Sequence, residues 1–181
     1  MDGTVLTARH ALEGCRALYI LKDGQVARAE RVAISRDADL ALVRSAIRPY
    51  LAATFAADPA VQGNRPVFAA SYEELRHMPD RTKVLYNGFA VEGSAQTGEE
   101  RFLLFSEASY GASGSSMLNG EGLVIGLVVG REAAGSLSGQ SVVGAVSEAA
   151  MEAFLRHAGV SFQESGQAQI SPLQARAPRA A

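Results

Sequence analysis

Residues Ala17–Ser35 read ALYILKDGQVARAERVAIS. An apolar run, Ala17–Lys22, meets Asp23-Gly24, and a second run, Gln25–Ser35, alternates apolar and polar residues. Asp-Gly between two such runs is a strong hairpin signal, because the tight turn that matches strand twist needs positive φ at its centre. Alternation with period two marks a strand with one wet face. The flanks repeat the pattern. Gly3–Arg9 (GTVLTAR) is β-rich upstream, and Asp39–Arg44 (DLALVR) is short and apolar downstream. Further strands are expected at Pro66–Ala70, Thr82–Glu92, Arg101–Ser106, Gly122–Val129 and Ser141–Val146. Many short strands at this spacing predict an all-β sandwich or barrel.

One helix breaks the pattern. Ser147 is a good N-cap, and Glu148 falls in the first turn, where the helix dipole favours an acid. Met151, Phe154, Leu155 and Ala158 recur at helical spacing, and Gly159 is a natural stop. The expected role is a helix packed on the barrel. Residues 163–181 lack periodicity and read as a flexible tail. The turn-rich Asp58–Arg65 is the best internal boundary. It divides the domain into a first half, 1–62, and a second, 63–146, followed by the helix at 147–159.

Composition narrows the class. The chain has 181 residues, 48% of them hydrophobic, and a formal net charge of −2. That is enough apolar material for a sizeable core, with no electrostatic pull toward nucleic acid or anionic membrane. No apolar run reaches the roughly 18 residues of a membrane helix, and no signal peptide is expected at Met1-Asp2-Gly3. The single cysteine, Cys15, forms no internal disulfide and builds no structural zinc site. It reads as a small hydrophobe rather than a nucleophile. His77 and His157 have no carboxylate or cysteine cluster at ligand spacing, so no metal is expected. The glycine-rich 111–130 stretch lacks the following helix of a phosphate loop, and scattered Arg without interleaved aromatics makes no nucleic-acid stripe.

Three segments carry candidate chemistry, in chain order. They are Thr4–Leu12 (TVLTARHAL), Asp37–Leu42 (DADLAL) and Gly111–Ser116 (GASGSS), the last followed by Asn119–Gly130 (NGEGLVIGLVVG). Singly each is weak: a lone His after a strand is more often structural, and an Asp in a loop is usually just solvated. Together they supply the parts of nucleophilic catalysis. A serine hydroxyl needs a base at neutral pH, and imidazole titrates in the right range. A buried carboxylate orients the imidazole, and backbone N–H groups in a tight glycine turn stabilise an oxyanion.

The three segments resemble those of trypsin-like serine proteases of the chymotrypsin fold. VLTARHAL resembles the family's T-A-x-H segment, DLAL its D-[IL]-A-L segment, and GASGSS its G-x-S-G-[GS] loop. The closest flavour is bacterial, Deg/HtrA-like or glutamyl-endopeptidase-like. The resemblance implies two packed antiparallel six-stranded β-barrels and a serine endopeptidase that acts on polypeptides through an acyl-enzyme, without a cofactor. It implies His10 as the general base, Asp39 as the orienting carboxylate and Ser113 as the nucleophile. The N–H groups of Gly111 and Ser113 would form the oxyanion hole. Asp37 competes with Asp39, which is favoured because the apolar strand follows it directly. Val128, Val129 and Gly130 would present backbone to an extended substrate. Glu107 has two readings. One is a pocket-floor carboxylate that selects Arg or Lys; the other, favoured because loop length is unfixed, is a solvent-facing residue. Val128, where glutamyl-specific relatives carry a His, argues against acidic substrates.

Departures from the pattern shape the alternative. Ala112 replaces the acid that pairs with a freed N-terminus in digestive relatives, so that activation switch is absent. Cys15 is not adjacent to His10, which excludes the oxidised-loop version. Family members carry about two more strands before the T-A-x-H segment, so the first barrel is expected to be incomplete. The rival function is a catalytically impaired trypsin-like domain that binds peptides or serves as a scaffold. Relatives are often exported, and an export signal would lie upstream of Met1. An esterase is disfavoured, because its Gly-x-Ser-x-Gly elbow is absent and its triad order differs.

Overall fold

The computed structural model describes residues 3–22, 24–49, 52–58, 66–70, 85–93, 101–106, 112–131 and 141–169. Twelve strands and one α-helix are assigned among them. The first four strands, β1 (Thr4–Ala8), β2 (Leu18–Lys22), β3 (Gln25–Ile34) and β4 (Leu40–Ser45), form a sheet of order β1-β4-β3-β2. The hairpin expected at Asp23-Gly24 joins β2 to β3 in antiparallel register, with Leu18 opposite Ala29 and Lys22 opposite Gln25. Gly24 takes φ +76°, the left-handed conformation that a tight hairpin requires.

The second sheet contains β5 (Thr54–Ala56), β6 (Pro66–Ala70), β7 (Leu85–Gly93), β8 (Arg101–Ser106), β9 (Ser116–Leu118), β10 (Val124–Arg131), β11 (Ser141–Ser147) and β12 (Gln163–Ser165). Its order is β11-β8-β7-β6-β9-β10-β5-β12, and β11 also pairs with β10. That extra pairing joins six strands, β6 to β11, into a closed ring, the second barrel expected from sequence. The first barrel is an open four-stranded sheet. Two details depart from the sequence reading. β5, assigned to the first half, pairs in parallel with β10 of the second. Gln163–Ser165, assigned to the flexible tail, is a strand paired with β5. Both are three-residue strands whose hydrogen bonds come from distant partners, so local alternation carries no signal for them.

β10 lies between two cores. Leu123, Ile125 and Val128 pack inside the closed barrel with Val67, Ala69 and Met117. Val124, Leu127 and Val129 face a second cluster with Leu40, Leu42 and Met151. That second cluster joins the open sheet to the barrel and to the helix.

The helix, α1 (Glu148–His157), starts as its sequence dictates, with Ser147 Oγ accepting the Ala150 N–H at 3.3 Å. Met151, Phe154 and Leu155 are buried, each side chain contributing about 1.5–3 kcal/mol by removal from water. His157 sits exposed in the last turn, where a cation is favourable. Glu148 differs from expectation. It is 1% exposed, and neither carboxylate oxygen has a hydrogen-bond partner among the described residues. Burial pushes its carboxyl from the ordinary 4.5 up to about 8, and the Glu152 and Glu164 carboxylates add to the rise. The Ala56 backbone N–H acts the other way without reaching hydrogen-bonding geometry. The dipole's preference for an anion is worth at most about 2 kcal/mol, and desolvation outweighs it.

Candidate active site

β1 delivers the chain into a one-turn 3-10 helix, His10–Leu12, directly after Arg9. β4 begins at Leu40, so the residue before it, Asp39, lies at the strand's mouth beside that turn. The β1–β4 pairing sets Ala8 opposite Leu40 and thereby places His10 beside Asp39. Their contact is two-pronged. The His10 backbone N–H donates to Asp39 Oδ1 at 2.9 Å, and His10 Nδ1 lies 2.6 Å from Asp39 Oδ2. A carboxylate only accepts, so this pairing puts the ring proton on Nδ1 and leaves Nε2 as the basic nitrogen. The Arg9 N–H also donates to the Asp39 carbonyl at 3.2 Å, and the Leu40 N–H to the Ala38 carbonyl at 2.8 Å. The second of these is a three-residue turn that fixes Asp39 at its centre. Asp39 is 17% exposed and the His10 ring 41%. Asp37 is exposed and makes none of these contacts.

Ser113 lies on a turn between buried Ala112 and β9. The Ser115 N–H donates to the Ala112 carbonyl at 2.9 Å. Gly114 follows Ser113 with φ +86°, as at the third position of a type II turn. The turn is stitched to β10: the Gly114 N–H donates to the Val128 carbonyl at 2.7 Å, and the Val128 N–H to the Ser115 carbonyl at 2.9 Å. It also abuts β1, because a Cβ on Gly114 would come within 2.5 Å of Thr7 Oγ1 and 3.5 Å of the Ala8 nitrogen. A glycine is therefore needed twice over, for backbone conformation and for closeness of approach. The closed barrel's serine turn thus packs against the strand that ends two residues before His10. Ser113 is half-buried and makes no hydrogen bond to another described residue, His10 included.

Other expected site residues fare differently. Val128 has both backbone groups engaged by Gly114 and Ser115 and its side chain fully buried, so it presents no free backbone to a substrate. This corrects the expectation for Val128. Val129 sits at a bulge in β10, where the register with β11 shifts between Val128 and Gly130. A bulge of this kind re-aims a strand. Gly111, Glu107 and His77 fall outside the described residues. Among the described residues, no group of three His, Cys, Asp or Glu side chains is placed to hold a metal.

A cavity of about 850 Å³ opens beside the serine turn, walled by Leu6, Phe55, Leu127, Leu155 and Phe162, among others. Gly114 of the serine turn lines it, while His10, Asp39 and Ser113 do not. Sequence reasoning missed Arg31. Its Nη2 donates to the carbonyls of Leu12 and Cys15, both at 2.9 Å. An exposed strand Arg carries no signal for such a contact.

An open sheet carrying a His–Asp pair, packed on a closed six-stranded barrel carrying a serine turn, defines a chymotrypsin-like architecture. Residues 1–127 match the family model of the trypsin-like peptidase domain. The chain belongs to that family. Similar solved structures are HtrA-type proteases and related folds. The HtrA-type protease AlgW with a decapeptide has TM-score 0.70 at 20% identity, over 87% of this chain and 48% of that one. A Mycobacterium tuberculosis protein in an inactive mutant form has TM-score 0.66 at 16% identity, over 87% of this chain and 77% of that one. The serine endoprotease from Yersinia pestis has TM-score 0.64 at 16% identity, over 87% of this chain and 54% of that one. The chain spans about half the length of AlgW and of the Yersinia protein. No curated protein sequence matches it.

Proposed function

We propose that the chain is the catalytic domain of a serine endopeptidase that cleaves polypeptides. The observation that carries this reading is the two-pronged His10–Asp39 contact beside a serine turn packed on β1. In the proposed mechanism, Ser113 Oγ attacks the scissile carbonyl carbon while His10 Nε2 takes its proton. Asp39 holds Nδ1 and stabilises the imidazolium that forms. The Ser113 N–H makes no hydrogen bond to another described residue, and with the Gly111 N–H it would receive the oxyanion. The C–N bond then breaks as His10 returns the proton to the leaving amine, giving an acyl-Ser113 ester. Water, deprotonated by His10, hydrolyses that ester and restores the hydroxyl. An extended substrate would lie along Val129 and Gly130, where β10 bends away from regular pairing.

The absence of a hydrogen bond between Ser113 and His10 fits a substrate-free enzyme, in which such contacts are often long. A second reading has one observation in its favour: the open four-stranded sheet. It makes the chain a peptide-binding module with little or no turnover. Digestion of an unstructured protein such as casein separates the two. Cleavage is expected from the wild type, falling at least roughly a thousandfold in Ser113→Ala. Peptide binding with no cleavage from the wild type would favour the second reading.

A further inference from the structure

The turn that carries His10 has no buried residue. Its position is therefore set by polar contacts rather than by packing. On one side Asp39 holds the His10 amide and ring. On the other, the turn ends in carbonyls that a helix leaves without partners. From the described backbone, the Leu12 carbonyl receives only a long bond, from the Cys15 N–H at 3.4 Å. The two N–H bonds of Arg31 Nη2 fill the gap, one to the Leu12 carbonyl and one to the Cys15 carbonyl. Arg31 lies on β3 at a bulge, where the register with β4 shifts between Arg31 and Ala33. The bulge alters the local twist at Arg31, the residue that reaches across to the turn.

We propose that Arg31 is a positioning residue: its guanidinium clamps the far end of the His10 turn and so fixes the imidazole that Asp39 orients from the near end. The kinetic part rests on the triad reading above. Arg31 itself touches neither substrate nor the reacting atoms. Hydrogen bonds at an exposed site each add little net stability, so the effect falls on geometry and hence on rate rather than on global stability. A planar donor with a fixed fork suits two carbonyls at set positions, and a lysine ammonium replaces it incompletely.

The test uses the full 181-residue chain as wild type, Arg31→Ala, Arg31→Lys and the control Arg28→Ala on the same strand. Inactivation by a fluorophosphonate is followed to give kinact and KI, and amide exchange is measured at Leu12, Glu13 and Cys15. For Arg31→Ala, kinact is expected to fall roughly tenfold to a hundredfold with KI unchanged. Turn amides should exchange at least about tenfold faster, while the melting temperature stays within about 2 °C. Arg31→Lys should recover part of kinact, and Arg28→Ala should match the wild type. Unchanged exchange in the turn would overturn the clamp. Faster exchange with unchanged kinact would overturn the positioning role. A wild type that never reacts would sink the triad reading and the positioning role with it, a failure marked by the wild type's own silence.

Discussion

The two β halves contribute different parts of the site and are stabilised differently. The closed barrel has every strand from β6 to β11 paired on both sides, and its interior holds Met117, Leu123 and Val128 out of water. The open sheet has two edge strands among the described residues, β1 and β2, and leaves Tyr19, Leu21 and Val26 at 65%, 54% and 65% exposure. The serine turn belongs to the first kind of structure and the His–Asp pair to the second. A serine turn seated on a closed core is fixed by packing. The His10 turn on the open sheet is held by hydrogen bonds, with Asp39 accepting from it and Arg31 donating to it. Unpaired edges also attract other strands, which makes the open sheet the less secure half.

The contrast breaks first at Asp39. Asp39→Asn removes the acceptor that holds the proton on Nδ1 and should lower the fluorophosphonate reaction rate by about ten-thousandfold. Circular dichroism should show the sheet intact. A loss of under tenfold would mean that the His10 turn does not depend on its carboxylate.

Stability should separate the halves next. Met117→Ala, inside the closed barrel, is expected to cost about 2–5 kcal/mol in urea denaturation. Leu21→Ala, on the exposed face of the open sheet, should stay within about 0.5 kcal/mol. Equal costs would contradict the division between packed and open halves.

Glu148 gives a pH signature of the helix–barrel junction. Its folded-state carboxyl titrates at about 8, above its unfolded value of 4.5. The native state therefore holds a proton that the unfolded chain releases. The stabilisation is complete below 4.5 and is lost as pH rises through about 8. Glu148→Gln should flatten this slope and raise stability at pH 7 by up to roughly 3 kcal/mol, at about 1.4 kcal/mol per pH unit. A wild-type stability independent of pH between 5 and 8 would show that the carboxyl finds a partner in solution.

The seam between the halves is tested at Gly114. Gly114→Ala places a Cβ against Thr7 Oγ1 at a positive φ and should cost about 1–3 kcal/mol. The reaction rate should fall with it, because the same displacement moves Ser113 away from β1. A stable variant with an unchanged rate would show that the two halves do not depend on this contact.

Much of this arrangement was legible in the residues. The alternation in Gln25–Ser35 and the Asp-Gly turn identified the hairpin, and the spacing of Met151, Phe154 and Leu155 identified the helix. Asp39 was separable from Asp37 by the apolar strand after it. What escaped was non-local. β5, β9 and β12 are three residues each and gain their hydrogen bonds from strands far along the chain. Glu148 reads from sequence as a dipole partner, and only the packing of α1 on the barrel makes it a buried acid. Val128 reads as a substrate-facing strand position, yet its backbone is taken up by the serine turn. Arg31 looks like any solvated charge until the His10 turn is folded beside it.

The proposed activation of Ser113 as a nucleophile spans the two halves, through His10 and Asp39. Its most direct test is intact-mass and peptide-mapping mass spectrometry of the chain after reaction with a fluorophosphonate. One adduct per chain is expected, on Ser113, absent from Ser113→Ala and strongly slowed in His10→Ala. An adduct on another residue, or one that persists in Ser113→Ala, would contradict it.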